Sequence, residues 1–587
     1  HLCDRRQRQM CIRDSIMNKY KLFFTCAASL LLMSSCYDLD RYPEDQLSAG
    51  TFFQTQEHAD QAMMGVYSQM THNDVFGRQF GFDCLGGVGA GYDAPSYPNI
   101  GRGTYTTTEG AVGDKFKQLY EGVTRANIVL QNVDQCDMSD ELKTRYKSEA
   151  RFMRALYYFT LLDFWGGVPI YDETTIVAED FSNMLKPRSS AEEVRTFIIK
   201  DLDEAIAHLP ADWDESNKGR ATSGAAMALK GKVLLYNKQY QEAATCFENV
   251  INSGKYALYS DYENLFKPGG DESSEMIFAI QNIGGVGTDF GMPMTFYMGS
   301  RASYGSCWNN VMAATDFVDS YEWKDGRAFD WNEVIPGFNE NDAVKKETFY
   351  ATLNEGLNKV ATYPAAKDKL LEMYNKRDPR MMASIIMPYT TYKGWYSNAP
   401  MDTEYVITEK SGQTNEKNGF IRVNGNYEMY LWRKFVAEYD MNGAINNRED
   451  TPINFPLIRY ADVLLMLAEC YNQTDQQTKA VDLINQVRAR VDMPGLNSGP
   501  SYLQATTKEQ VFERIRHERA VELAGEGLSF SDMKRWGLLE TLAGEVKGFT
   551  GQFYYNRVVQ SRDYLWPIPN NEIQKNPSLK EDQNPGW

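Results

Sequence analysis

The chain has 587 residues, a formal net charge of −18 and 43% apolar residues, enough for one large packed domain or a few ordinary ones. An acidic surface repels phosphates, and no basic patch with interleaved aromatics offsets it, so nucleic-acid binding is not expected. Beyond Cys36 the cysteines are Cys84, Cys136, Cys246, Cys307 and Cys470, an odd, scattered set without a C-x-x-C pair, which argues against a disulfide framework or a zinc site. The later histidines, His58, His72, His208 and His517, are scattered too, and no H-E-x-x-H, G-x-S-x-G, Walker loop or dinucleotide fingerprint occurs. No metal, no cofactor and no catalysis are expected.

Residues 17–36 read MNKYKLFFTCAASLLLMSSC. Lys19 and Lys21 form a basic head, an uncharged run follows from Leu22 to Met33, and small Ser34 and Ser35 precede Cys36. This is the layout of a secretory signal, and the run is too short for a span, which needs roughly 20 apolar residues. The end resembles the lipobox of bacterial lipoproteins, with Met33 where the pattern usually has Leu. The resemblance implies cleavage of a signal over 17–35 and lipidation of Cys36. Met17 is then the expected start. Residues 1–16, with Arg5, Arg6, Arg8 and Arg13 and a string similar to a translated sequencing adapter, are read as a non-native extension.

Past a polar tether at 37–48, helical periodicity dominates. His58–Met70 places Ala62, Val66 and Met70 on one stripe, and Lys115–Val133 does the same with Phe116, Leu119, Val123, Ala126 and Leu130. Glu141–Trp165 reads as a long helix stopped by Gly166-Gly167 and Pro169. Ala191–Leu209 is another, with Ser190 as N-cap. In 224–251 the small residue Gly231 is followed by Ala243, and in 461–487 Ala468 is followed by Ala480, each pair twelve apart. That spacing fits a tetratricopeptide helix pair, in which a small residue lets the second helix approach. The two windows lie far apart, so the repeats are expected to be interrupted, not a continuous solenoid. Between them, 275–450 is rich in Gly, Asn, Tyr and Trp with weak periodicity. Short strands are expected at 275–280 and 420–423, a helix at 367–378, and loops elsewhere. Long loops on a rigid frame are where binding usually lives.

Glu149–Ile170, EARFMRALYYFTLLDFWGGVPI, strongly resembles a signature of the SusD/RagB family of outer-membrane lipoproteins. Further matches follow in family order: YEGVTRAN at 120–127, GRATSGAA at 219–226, YADVLLMLAE at 460–469, RIRHERAVELAGEG at 514–527, DMKRW at 532–536, WPIP at 566–569 and a closing QNPGW. The resemblance covers essentially all of 36–587. It implies a single, mostly α SusD-like domain, with a helical frame of tetratricopeptide-type pairs at 50–260 and 455–545 and the loop-rich part at 275–450. It also implies a lipid-anchored protein on the cell exterior that captures glycans, or less often peptides, and passes them to a SusC-like TonB-dependent transporter in the outer membrane. The motif residues themselves read as frame: Arg151, Arg154 and Arg519 as buried ion pairs or helix contacts, and Trp536 and Trp587 as packing.

A sugar ring offers an apolar C–H face and a hydroxyl edge, so its receptor needs flat aromatics beside hydrogen-bond formers on an open surface. Two loops fit. Arg78–Tyr105 carries Arg78, Asp83, Tyr92, Asp93, Tyr97, Asn99 and Tyr105, and Gly284–Asn310 carries Phe296, Tyr297, Arg301, Tyr304, Trp308, Asn309 and Asn310. The expected ligand residues are Arg78, Asp83, Tyr92, Tyr97, Tyr297, Tyr304, Trp308 and Asn309. Trp308 is the main stacking ring, and Tyr304 is a second if 304–308 turns helically. Trp395 and Tyr396 are a third option. A surface glycoside hydrolase is the alternative from another class; it needs two carboxylates roughly 5–10 Å apart.

Overall fold

The computed structural model describes residues 52–176, 184–285, 290–410, 412–423 and 428–587. Cys36, the signal and the 1–16 extension lie outside the described residues. Contacts divide the chain into two units, His1–Phe53 and Gln54–Trp587; the elements below belong to the second.

The frame is helical, and several of its helices start where a side chain caps them. Helix α1 (Gln56–Ser68) is capped by Thr55; α2 spans Gly110–Asn132; α3 (Asp140–Trp165) is capped by Ser139. The N-cap expected for α4 (Ala191–His208) is present: Ser190 and Glu193 form a reciprocal capping box. Thr222 caps α5 (Ser223–Tyr236), and α6 follows at Tyr240–Asn252. The second window gives α7 (Tyr460–Gln473) and α8 (Gln477–Ala489), followed by α9 (Lys508–Glu522) and α10 (Ser529–Arg535).

The close approach that the small residues signalled is real. A Cβ on Gly231 of α5 would lie 2.6 Å from the Phe247 ring of α6, and one on Gly122 of α2 would lie 2.6 Å from Tyr157 of α3. One expectation changes. Helices α2 to α6 pack each on the next, and α7 then packs directly on α6 and on α8 and α9. The repeats are interrupted in sequence but continuous in space, because the insertion loops out and the stack closes behind it.

The insertion leaves and returns through one antiparallel ribbon, Met276–Ile280 against Phe455–Arg459, with Ile280 opposite Phe455 and Met276 opposite Arg459. Its remaining strands form two-stranded ribbons only. The strand expected at 420–423 reduces to a single bridge between Phe420 and Glu404. The helix expected at 367–378 splits: Lys367–Tyr374 ends, and Asp378 caps a second short helix beginning with Pro379.

The arginine motifs build the interior. Arg154 on α3 gives Nε and Nη2 to Asp201 on α4 at 2.7 and 2.8 Å. Arg519 on α9 reaches Asp532 and Asp462, both at 2.7 Å. Glu518, Glu522 and Glu526 recur every four residues from α9 onward and receive arginines from distant segments. Arg459 meets Glu522 at 2.7 Å, and Arg380 of the insertion meets Glu518 at 2.9 Å. The C-terminal motif returns to the end of α3, where Trp165 Nε1 donates to Pro567 O at 2.9 Å and Asn584 Nδ2 to Trp566 O at 2.7 Å. Trp587 packs edge-on against Tyr105 at 4.7 Å, and Trp536 against Phe512 at 5.6 Å. The motif arginines and tryptophans therefore serve the frame.

Candidate functional site: an aromatic pocket in the insertion

The hairpin Thr391–Tyr396/Ala399–Glu404 sets the site. Ser397 and Asn398 both take positive φ, 51° and 61°, as a two-residue I′ turn requires, and Asn tolerates that conformation better than most residues. The turn places Trp395 opposite Pro400 and Tyr396 opposite Ala399. The hairpin docks on the 300–309 loop: Trp395 N donates to Ala302 O at 2.7 Å, and Tyr392 shares a hydrogen bond with Ser303 at 3.1 Å. A Cβ on Gly394 would come within 2.6 Å of Ala302 O, so this approach needs glycine.

Tyr304 and Trp395 thereby become neighbours, with ring centroids 5.3 Å apart and planes inclined by 39°. They share an open pocket of about 500 Å³ with Arg301, Tyr396, Asn398, Glu416, Asn446, Asn447 and Arg448. Arg448 fixes the pocket floor. Its Nη1 donates to Gly305 O at 3.0 Å and Ser306 O at 2.7 Å, and its guanidinium lies 4.5 Å from the Phe296 centroid and 5.9 Å from that of Trp308. It holds a turn in which Gly305, Ser306 and Asn309 all have positive φ.

The two loops expected to act together are adjacent. The strand Gly89–Gly91 pairs antiparallel with Val311–Ala313. Tyr92 Oη donates to Trp308 O at 2.8 Å, and Asn310 Nδ2 to Ala94 O at 2.7 Å. Arg78 donates to Tyr297 Oη at 2.9 Å and stacks on that ring at 5.1 Å. Burial pushes the Tyr297 hydroxyl above its ordinary value, and Arg78 opposes the shift.

Several expected ligand residues lie elsewhere. Asp83 is only 1% exposed and accepts from Gly525 N at 2.7 Å and Ser529 Oγ at 2.8 Å. Burial pushes its carboxyl up to about 6 against those hydrogen bonds. Asn309 is 0% exposed. Both are interior residues and neither lines the pocket. Tyr97 stacks on buried Phe82, with centroids 4.6 Å apart, and Tyr105 is buried with its hydroxyl on Asp563 at 2.8 Å. Residues 304–308 do not turn helically, because the short helix there ends at Met298. Tyr304 therefore pairs with Trp395 and not with Trp308, which keeps 37% exposure and packs on Phe296 at 4.8 Å. Asn398, Glu416 and Asn446–Arg448 were missed. The only sequence signals are turn-forming residues, Ser397-Asn398, Asn415 and Asn418-Gly419 beside Glu416, and the Asn/Gly content of 442–447.

Among the described residues no cluster of His, Cys, Asp or Glu would hold a metal ion, and no helix is long and apolar enough to cross a membrane. The five described cysteines are buried and unpaired, and burial pushes the Cys307 thiol up.

Comparison with known proteins places this architecture. The SusD family model matches residues 274–587, and a second model, described as starch-binding associating with outer membrane, matches 39–235. A SusD-like protein of Formosa agariphila is 26% identical over 94% of this chain and 97% of its own length. Among solved structures, a SusD-like carbohydrate binding protein of Bacteroides fragilis superposes with a TM-score of 0.72 at 22% identity, covering 90% of this chain and 100% of that one. A laminarin binding SusD-like protein superposes with a TM-score of 0.63 at 22% identity, covering 91% and 100%. Stacked helix pairs, a looped-out insertion and a family model spanning more than half the sequence give one conclusion: the chain belongs to the SusD family.

Proposed function

We propose that this protein captures glycans at the cell surface, using the pocket around Tyr304 and Trp395, and hands them to a SusC-like TonB-dependent transporter of the outer membrane while held there by a lipid on Cys36. The observation that carries the reading is the half-buried pair of aromatic planes beside amide and guanidinium groups in one open pocket. Such a surface complements the apolar face and hydroxyl edge of a sugar. The fold is shared with a laminarin binding protein and a carbohydrate binding protein. Hydrolysis finds less support: Glu416 is the one carboxylate among the described pocket residues, and the usual mechanism needs two.

The test is affinity electrophoresis of residues 37–587 through gels containing laminarin, starch or xylan, with a peptide library as the competing ligand class and product analysis for cleavage. Retardation by a polysaccharide without shortened products is expected. Binding to peptides alone, or release of oligosaccharides, contradicts the reading. The anchor is tested separately. Lipid chains add about 0.8 kcal/mol per buried methylene, so Cys36→Ala should leave the membrane fraction or retain its signal, and a variant that still fractionates as a mature lipoprotein contradicts the lipobox.

A further inference from the structure

A second pocket, of about 430 Å³, is lined by cations. Lys267, Lys393 and Arg433 converge there on one carboxylate, Glu438, at 3.5, 3.3 and 3.1 Å. Lys267 also meets Glu263 at 2.9 Å. Asp402, opposite Lys393 in the hairpin but outside the lining, accepts from Tyr439 Oη at 2.6 Å. Burial would raise the Glu438 carboxyl, but Lys267, Arg433 and Lys393 together hold it below its ordinary value. One anion is thus shared by three cations, and the most exposed of the three, Lys393, keeps half of its side chain in solvent. Phe435, Tyr439 and Met441 line the same pocket at positive φ, 64°, 49° and 53°. That conformation is costly for large residues and persists only where the surroundings enforce it.

This pocket neighbours the aromatic one. Alternate residues of a strand face the same side about 7 Å apart, and in Thr391–Tyr396 Lys393 lines the cationic pocket while Trp395 lines the aromatic one. Further along the chain, Met441 and Asn442 line the first, and Asn446, Asn447 and Arg448 the second. Lys434 is buried on Glu526 at 2.7 Å. Without it, the described lining of the two pockets brings five cations, counting Arg301 and Arg448, against Glu263, Glu438 and Glu416. The chain as a whole carries −18, so the sign of the charge reverses here. We infer that the pocket of Lys267, Lys393 and Arg433 binds an anionic substituent, carboxylate or sulfate, on a sugar chain whose neighbouring ring rests on Tyr304 and Trp395. This inference rests on the glycan-capture reading of the aromatic pocket. Ammonium and guanidinium groups suit either substituent, because both offer several acceptor oxygens in charge-assisted hydrogen bonds. The acidity of the rest of the surface disfavours nonspecific adsorption of a polyanion, so retention of one reports on a local site.

The experiment measures retention of wild type, Lys393→Gln, Lys393→Glu and Trp395→Ala on four immobilised polymers, at low and high salt, with a thermal melt of each variant. The polymers are polygalacturonate and its full methyl ester, and dextran sulfate and dextran, so each anionic chain has its uncharged counterpart. Wild type should be held more tightly by an anionic polymer than by its counterpart, and salt should narrow the difference. Preference for polygalacturonate assigns a carboxylate, preference for dextran sulfate a sulfate, and preference for both either group. Lys393→Glu should lose about tenfold on the preferred polymer, and Lys393→Gln less, with melting temperatures and any retention on the counterpart unchanged. Retention of wild type by uncharged polymers alone overturns the inference and leaves glycan capture standing. Wild-type retention of the anionic polymer by Lys393→Glu, or equal losses on charged and uncharged polymers in both Lys393 variants, also overturns it. Unchanged retention of the anionic polymer by Trp395→Ala overturns the shared placement on Tyr304 and Trp395. No retention of wild type on any of the four overturns the inference, and the laminarin, starch and xylan gels then judge glycan capture by themselves.

Discussion

Single side chains in the two candidate loops divide into those that face the pocket and those that hold the loops in place. Asp83 belongs to the second kind, and its titration makes that testable. Burial raises its carboxyl from 3.8 to about 6, more than the hydrogen bonds from Ser529, Gly527 and Gly525 lower it. A carboxyl raised in the folded state adds stability that is complete below 3.8 and lost as pH rises through about 6. Asparagine cannot ionise, so Asp83→Asn is free of that fall. The stability deficit of Asp83→Asn against wild type should therefore narrow between pH 4 and pH 7, measured as urea midpoints. A deficit that stays constant across that range would show that Asp83 does not titrate there. Trp308 packs one face on Phe296 beneath Arg448 and keeps the rest in solvent, outside the lining of the Tyr304–Trp395 pocket.

Helix pairs are the elements on which the frame depends, and Gly231 is the tightest test of them. Any Cβ there meets the Phe247 ring at 2.6 Å. Gly231→Leu should destabilise by about 1–3 kcal/mol through overpacking, read as a lower melting temperature with the helical far-UV spectrum retained below it. An unchanged melting temperature would remove Gly231 from the α5–α6 interface. These pairs were legible in the sequence because their signal is local: a small residue, a fixed spacing, a capping Ser190 with Glu193. The direct packing of α7 on α6 was not legible, since no periodicity says how a long insertion closes behind itself. The site was legible in part for the same reason. Tyr304 and Trp395 stood out as aromatics in loop-like sequence, but their pairing depends on the Trp395–Ala302 hydrogen bond between segments with no sequence relation. Arg448 and Glu416 reach the pocket from two further loops. Asp83 and Asn309 looked like ligand residues because polar side chains in glycine-rich loops are normally exposed; here they satisfy backbone and packing demands inside.

Across the whole molecule, a chain of buried ion pairs ties the insertion to the helical stack. Arg380 of the insertion, paired with its neighbour Asp378, meets Glu518 and Glu522 of α9, which also receive Arg459, Arg488 and Arg490. Burial alone would raise Glu518; Arg380 and Arg488 outweigh it and hold the carboxyl down to about 2 from 4.5. A depressed carboxyl adds stability that is present above 4.5 and lost as pH falls through about 2. Glu518→Gln breaks buried pairs on two arginines and should cost about 3–5 kcal/mol at pH 7, with the gap to wild type closing as the pH is lowered from 4.5 to 2. A gap of the same size at pH 7 and pH 2.5 would contradict the assignment.

That attachment holds the pocket-bearing insertion on the helical stack, and the proposed function requires the pocket to take a sugar on Tyr304 and Trp395. The most direct measurement is isothermal titration calorimetry of wild type and the Tyr304→Ala/Trp395→Ala double variant with the polysaccharide that retards wild type. Wild type should bind with a dissociation constant of order micromolar to millimolar, about −8 to −4 kcal/mol. The double variant should show no measurable heat of binding at an unchanged melting temperature. Binding by the double variant within twofold of wild type would place the glycan elsewhere on the molecule and contradict the claim.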